Sequence, residues 1–186
     1  MSKRRESELA AAVRRATDVD VAECYQCGKC TAGCPMARWM DLGPTQVMRL
    51  VQVGDEAAED RLLGSTAIWA CVGCLVCTQR CPRESDPAAV MDALRQRSHA
   101  AGKVSPRERK ILAFHEAFLK VVEKTGRMSE APLVSLYKLK SRDFFSDVAL
   151  APAMLRRGKL PLLPQIIRGR KDVRRIFRAC RGGATR

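Results

Sequence analysis

The sequence predicts a mainly α fold, and three observations carry that prediction. One cysteine phrase is written twice with identical spacing, as Cys24-x-x-Cys27-x-x-Cys30-x-x-x-Cys34-Pro35 and Cys71-x-x-Cys74-x-x-Cys77-x-x-x-Cys81-Pro82. The residues between the two copies repeat their apolar side chains at helical intervals rather than in strand alternation. The longest periodic stretch, from Ser105 to Gly126, keeps the 3.6-residue period throughout. The helical spacer argues against the compact β-rich arrangement that the cysteine phrase alone would suggest.

Taken in order, residues 6–16 read as a short amphipathic helix with Leu9 and Val13 at i, i+4 spacing. After the first cysteine run, Pro44 suits the first turn of a helix whose Val47, Leu50 and Val51 share a face and which Gly54 can end. A short acidic helix over 55–63 follows, closed by Gly64. After the second run, Asp86-Pro87 reads as an N-cap with proline at the first helical position, and Val90 and Leu94 mark the buried stripe of a helix ending near Gly102. Ser105 and Glu108 have the spacing of a capping box. From there Ile111, Phe114, His115, Phe118, Leu119 and Val122 form the expected apolar face. Further helices are expected around Leu133–Leu139 and Val148–Arg157, the latter closed by Gly158. Pro161 and Pro164 break regular structure beyond it. The basic end, Arg168 to Arg186, is expected to be poorly ordered unless a partner holds it. No internal repeat other than the cysteine phrase is evident. The resulting domain scheme is an N-terminal helical arm (1–20), a cysteine-bearing domain (21–104) and a helical C-terminal extension with a basic tail (105–186).

The cysteine spacing is that of the bacterial-type run for [4Fe–4S] clusters, and eight of the nine cysteines belong to it. Three cysteines at i, i+3 and i+6 lie on a tight turn whose sulfurs can converge on one cube, and the fourth ligand comes from elsewhere. In two-cluster ferredoxins the fourth cysteine of each run serves the other cluster. The expected ligand sets are therefore Cys24, Cys27, Cys30 and Cys81 for one cluster, and Cys71, Cys74, Cys77 and Cys34 for the other. Structural zinc is the competing reading, but a zinc site is built from two Cys pairs, whereas a triplet followed by Cys-Pro suits a cubane. A disulfide framework fits poorly with the absence of a signal core: Arg4-Arg5 is followed by a stretch too short and too charged for one. A reducing, cytoplasmic setting is the expectation.

Around the runs, Gly28, Gly33 and Gly73 suit backbone passing close to a cluster, or simple turns. Lys29 and Arg80 would raise a cluster's potential or merely be solvated. Trp69 would shield a cluster or sit in the core. Cys180 has no companion and reads as a spare thiol, and His99 and His115 read as core or surface residues. No nucleophile with its base, phosphate loop or dinucleotide fingerprint is present, so no catalytic residue is assigned.

The 34 Lys+Arg against 20 Asp+Glu give a formal charge of +14, which two thiolate-ligated clusters would reduce to about +10. That excess favours acidic protein surfaces, nucleic acid or anionic lipid. Few aromatics (5%) and no recognition-helix signature argue against a nucleic-acid module. No run of apolar residues is long enough to span a bilayer, so membrane contact would be peripheral.

The two runs, the helical spacer, Ile68-Trp69-x-Cys71, Phe114-x-x-x-Phe118, Gly126-Arg127-x-x-Glu130 and the segment Gly158-Lys159-Leu160-Pro161-Leu162-Leu163-Pro164 together resemble the C subunit of heterodisulfide reductase, over about residues 20–178. The resemblance implies an α-helical ferredoxin domain. It also implies an electron-transfer role between two larger partners. One is an A subunit, which bears flavin and clusters; the other is a cysteine-rich, catalytic B subunit, which reduces a disulfide. The alternative is an iron–sulfur subunit of a quinone-linked or glycolate/glycerol-3-phosphate-type dehydrogenase. In either case the chain is not catalytic alone.

Overall fold

Helices make up all the regular structure in the computed structural model, which describes residues 6–142, 151–158 and 166–183. The expected mainly α fold is the one observed. Two compact units divide the chain, Met1–Glu108 and Arg109–Arg186.

In the first unit, α1 (Glu8–Thr17) begins at Ser7, whose hydroxyl accepts from the Ala10 amide, and buries Leu9, Ala10 and Val13. The first cysteine run carries a 3-10 turn (Val21–Glu23), α2 (Lys29–Ala32) and a second 3-10 turn (Ala37–Trp39). Next come α3 (Pro44–Val53), α4 (Glu56–Leu63) and α5 (Thr66–Ala70). The second run carries α6 (Val76–Gln79) and leads into α7 (Pro87–Ala100). Short polar caps start these helices; that at Asp86 is the one the sequence predicts, and Asp55, expected inside α4, is its cap. Asp55 accepts from the Ala58 amide at 2.7 Å, and Asp86 from the Ala89 amide at 3.0 Å.

The core lies where α3 and α7 meet α1, α4 and α5. Val47, Met48 and Val51 of α3 are at most 1% exposed, and Val90, Met91 and Leu94 of α7 at most 2%. Each such side chain contributes about 1.5–3 kcal/mol by leaving water. Leu50 is only half-buried, so Met48 takes the place expected for it.

These two helices also correct the expectation of a repeat confined to cysteines. Pro44-x-x-Val47-Met48-x-x-Val51-Gln52 and Pro87-x-x-Val90-Met91-x-x-Leu94-Arg95 are one pattern written twice. Residues 35–43 separate Cys34 from Pro44, but only residues 82–86 separate Cys81 from Pro87. The register therefore changes from 47 in the runs to 43 in the helices, and a fixed-period reading loses it.

The second unit comprises α8 (Arg109–Thr125), α9 (Glu130–Ser141), α10 (Ala151–Arg156) and α11 (Arg170–Gly183). Three expectations change in or near it. Glu108 does not open α8 through a capping box. It ends a 3-10 turn (Pro106–Glu108) in the first unit, is 4% exposed, and its carboxylate accepts from the Thr66 hydroxyl at 2.9 Å. The buried stripe of α8 is Ala113, Ala117, Val121 and Thr125, whereas Phe114 is 42% exposed, Phe118 37% and Leu119 52%. Small side chains allow neighbouring helices to approach α8 closely, while Phe114, though partly exposed, packs edge-on against Tyr137 of α9 with ring centroids 5.9 Å apart. The basic end is not irregular: α11 is a helix, held by a two-pronged ion pair from Arg181 to Glu123 at 3.0 and 2.8 Å. Val148, Pro161 and Pro164 lie outside the described residues.

Candidate iron–sulfur sites

The two cysteine runs fold into the same local backbone. Cys24 and Cys71 enter it in extended conformation, at φ −76, ψ 110 and φ −66, ψ 119. Left-handed residues then fall two and four positions on in both runs, Gln26 (φ 63) and Gly28 (φ 78) in the first, Gly73 (φ 63) and Leu75 (φ 61) in the second. One helical turn, α2 or α6, carries the third cysteine. The fourth closes it through Cys34 N–H to Thr31 C=O at 3.1 Å and Cys81 N–H to Thr78 C=O at 3.2 Å. Gln26 and Leu75 hold a conformation that glycine adopts freely and that costs other residues about 1–2 kcal/mol. The turn is therefore retained against local preference, as expected where the backbone must wrap a bound group.

The packing of α2 against α6 brings each fourth cysteine to the opposite run. Cys34 lines a single cavity with Cys71, Cys74 and Cys77, among Met36, Met40, Leu75, Val76 and Met91. At the other end, Arg83, two residues beyond Cys81, pairs with Glu23, the residue before Cys24. The Cys24 thiol accordingly feels the thiols of Cys30, Cys81 and Cys27. Gly33 lies under Arg80, whose Cδ would stand 2.6 Å from a Cβ at that position.

One side chain of the following helix anchors each run. From α3, Gln52 Nε2 donates to the carbonyls of Val21 and Cys24 at 2.8 and 2.7 Å. From α7, Arg95 donates to those of Ile68 and Cys71, both at 2.8 Å. The four acceptors are equivalent positions of the repeat, and so are Gln52 and Arg95. Neither anchor is legible from the cysteine phrase. The repeated Pro-x-x-Val-Met pattern, which places both one turn beyond the buried methionine, is the signal that could have found them.

Burial pushes the Cys24 and Cys77 thiols up from their ordinary value. A hydrogen bond from the Gln26 backbone amide opposes the shift at Cys24, and one from the Thr78 backbone amide opposes it at Cys77. Around the first run, Gln26 Nε2 donates to Cys24 Sγ at 3.3 Å, and Thr45 Oγ1 stands 3.1 Å from Cys30 Sγ. Around the second, the Thr78 hydroxyl lies near Cys77 but also 2.6 Å from Asp86 Oδ1, and its single proton goes to the carboxylate, the stronger acceptor.

Of the remaining sequence candidates, Lys29 and Cys180 are exposed, as is His99, while His115 is half-buried beside Phe114. Trp69 is buried at 4% exposure, with the Arg95 guanidinium 6.0 Å from its ring centroid.

Among the described residues no His, Cys, Asp and Glu side chains converge as tightly as one metal ion requires. Thiolates on tetrahedral zinc stand about 3.8 Å apart. A cubane spreads its four ligands over the corners of an iron–sulfur cube. The donors suit that group: thiols on repeated turns, apolar walls, and hydroxyl and amide donors directed at sulfur.

Residues 20–85 match the family model described as a 4Fe-4S dicluster domain, a span that contains all eight motif cysteines. Over 84 residues the chain is 38% identical to the C subunit of the ferredoxin:CoB-CoM heterodisulfide reductase of Methanosarcina acetivorans, covering 45% of this chain and 32% of that protein. Over 109 residues it is 28% identical to the C subunit of the H(2):CoB-CoM heterodisulfide,ferredoxin reductase of Methanothermobacter thermautotrophicus, covering 59% and 57%. The iron-sulfur C subunit of the CoB--CoM heterodisulfide reductase of Methanopyrus kandleri is 35% identical over 98 residues, covering 52% and 48%. The chain thus spans between about a third and just over half of the length of these relatives. With a 4Fe-4S dicluster match over its doubled cysteine run, this chain is similar to the iron–sulfur C subunit of heterodisulfide reductases.

Proposed function

We propose that the chain is an electron-transfer subunit of a heterodisulfide-reductase-like complex. It holds one [4Fe–4S] cluster on Cys24, Cys27, Cys30 and Cys81 and a second on Cys71, Cys74, Cys77 and Cys34. The observation that carries this reading is the sorting of the cysteines. Cys34 shares a cavity with the second run, and the Arg83–Glu23 pair ties the end of the second run to the start of the first. Each cluster, when bound, accepts and releases one electron. The chain's own part is to hold the two groups close together, screen them with methionine and aliphatic side chains, and direct hydrogen-bond donors at their sulfurs. Among the described residues no side-chain set beside them is built to bind and cleave a substrate, and we assign the chemistry to partners. We assign these, from the resemblance, to an A subunit, which bears flavin and clusters, and to a cysteine-rich B subunit that acts on a disulfide or thiol. The setting is reducing and cytoplasmic.

The crossed ligand sets are tested by matching spectra of alanine variants. Cys34→Ala should reproduce the electron paramagnetic resonance loss of Cys74→Ala, and Cys81→Ala that of Cys27→Ala. If Cys34→Ala instead matched Cys27→Ala, each run would hold its own cluster and the assignment would be wrong.

A further inference from the structure

The repeat is faithful in its backbone and broken in its side chains. Beside the first run, two polar side chains meet the ligand sulfurs. Gln26 Nε2 donates to Cys24, and Thr45 Oγ1 meets Cys30. The equivalent positions of the second run are Gly73 and Ala88, neither of which has a donor.

The Thr45 contact has a defined polarity. Thr31 Oγ1 accepts from the Thr45 amide at 2.9 Å and donates to Thr45 Oγ1 at 2.9 Å. The Thr45 hydroxyl proton is thereby left for the Cys30 sulfur, and the chain of bonds strengthens its last member. In the second half the counterpart of Thr31 is Thr78, which gives its proton to Asp86. Asp86 in turn occupies the place of Gly43, where a Cβ would stand 2.7 Å from Thr31 Cγ2. The first half thus directs its threonine relay at a ligand sulfur, and the second directs it at a carboxylate.

We infer that the two sites are unequal in potential, and that the one ligated by Cys24, Cys27, Cys30 and Cys81 is the higher. This rests on the ligand sets proposed above. Hydrogen bonds to ligand sulfur stabilise the more negative, reduced state and so raise the potential. The backbone amides contribute alike because the two turns have closely similar dihedrals. Arg95, in the place of neutral Gln52, adds a positive charge to the second site and Asp86 a negative one, while Lys29 and Arg80 stand next to Cys30 and Cys81 and add positive charge to the first. Side-chain donors to sulfur and these two cations both favour the first site. An electron that enters at the second site passes to the first in a single one-electron transfer, the donor cluster going from its reduced to its oxidised state and the acceptor the reverse. No bond breaks and no proton moves. The first site is where one electron rests, and Thr45 sets its potential through Cys30.

The test is a redox titration of the full chain carrying both clusters, with dithionite and mediators, followed by electron paramagnetic resonance. Two one-electron waves are expected. Thr45→Val keeps the branched shape and removes the hydroxyl, so it should move the higher wave to lower potential and leave the lower one in place. Gln26→Gly removes the amide donor at a left-handed position that glycine tolerates, and should act on the same wave. It also serves if the valine variant does not fold. Waves that move in neither variant, or movement of the lower wave, would overturn the inference while leaving the ligand sets intact. An iron content of only one cubane per chain would overturn the inference together with the reading beneath it.

Discussion

At Gly33, two equivalent positions of the repeat meet face to face. Its counterpart is Arg80, and the Arg80 side chain occupies the space where a Gly33 Cβ would lie. The two equivalent positions share one space, so one must be small if the other is large. Gly33→Val is therefore expected to destabilise the packing of α2 on α6 by about 1–3 kcal/mol, seen as faster loss of the visible cluster absorbance in denaturant. Arg80→Ala should be nearly neutral alone, since Arg80 is exposed, and should recover most of the loss when combined with Gly33→Val. Additive effects of the two substitutions would contradict the contact. The eight cysteines are legible in the sequence because ligand type and spacing together specify the chemistry. Thr45 is not, because its contact with Cys30 spans fifteen residues and depends on how α3 is laid against the first run.

Among the elements, α5 shows how the second run is held in place. Asp41, from the linker after the first run, accepts from the Ser65 hydroxyl at 2.6 Å and from the Ala67 amide at 2.9 Å, and so caps the helix that delivers Cys71. Partial burial alone would raise this carboxyl, but the bonds from Ser65, Ala67 and Thr66 outweigh it and hold it below its ordinary value of 3.8. The sign follows from that direction. The stabilisation is complete above the unfolded-state value and is lost as the pH falls through the folded one. Asp41→Asn keeps the shape but does not titrate. It should melt below the parent chain at neutral pH and coincide with it in strong acid, as followed by circular dichroism. A gap that persists unchanged below pH 3.8 would exclude this origin. The helices themselves were largely legible, from the Asp86 cap, the prolines Pro44 and Pro87 and their periodicity, whereas the caps at Ser7 and Asp55 emerge only in the structure. The buried face of α8 was not, because its pattern offers both a stripe of large apolar residues and a stripe of small ones. Burial selects the small one, while Phe114 of the large one meets Tyr137 of α9 at its edge.

For the whole molecule, the basic excess has a structural form. In α11, Val173, Ile176, Phe177 and Cys180 recur at helical spacing among Arg170, Lys171, Arg174, Arg175, Arg178 and Arg181. Ile176 is 61% exposed. A helix of this kind, with cationic and apolar groups both facing outward, suits a partner surface that is acidic around an apolar centre. Deleting residues 159–186 should weaken co-purification with partner subunits and make the residual association more salt-sensitive, while iron content stays at two cubanes per chain. Undiminished co-purification would remove the extension from the docking role. Among the described residues no helix is long and apolar enough to cross a membrane.

By itself the sequence determined the helical class and the eight cysteines of the two runs. It did so because these depend on local spacing: the 3.6-residue period, the caps, and the i, i+3, i+6 geometry of thiols on a tight turn. Tertiary structure alone decided which residues stand beside which sulfurs. The fall of the repeat from a register of 47 to one of 43 hides the equivalence of Gln52 with Arg95 and of Thr45 with Ala88 from a fixed-period reading. The partner of a hydroxyl is a matter of three-dimensional proximity, and that is why two cysteine phrases of identical spacing have different hydroxyl partners around them.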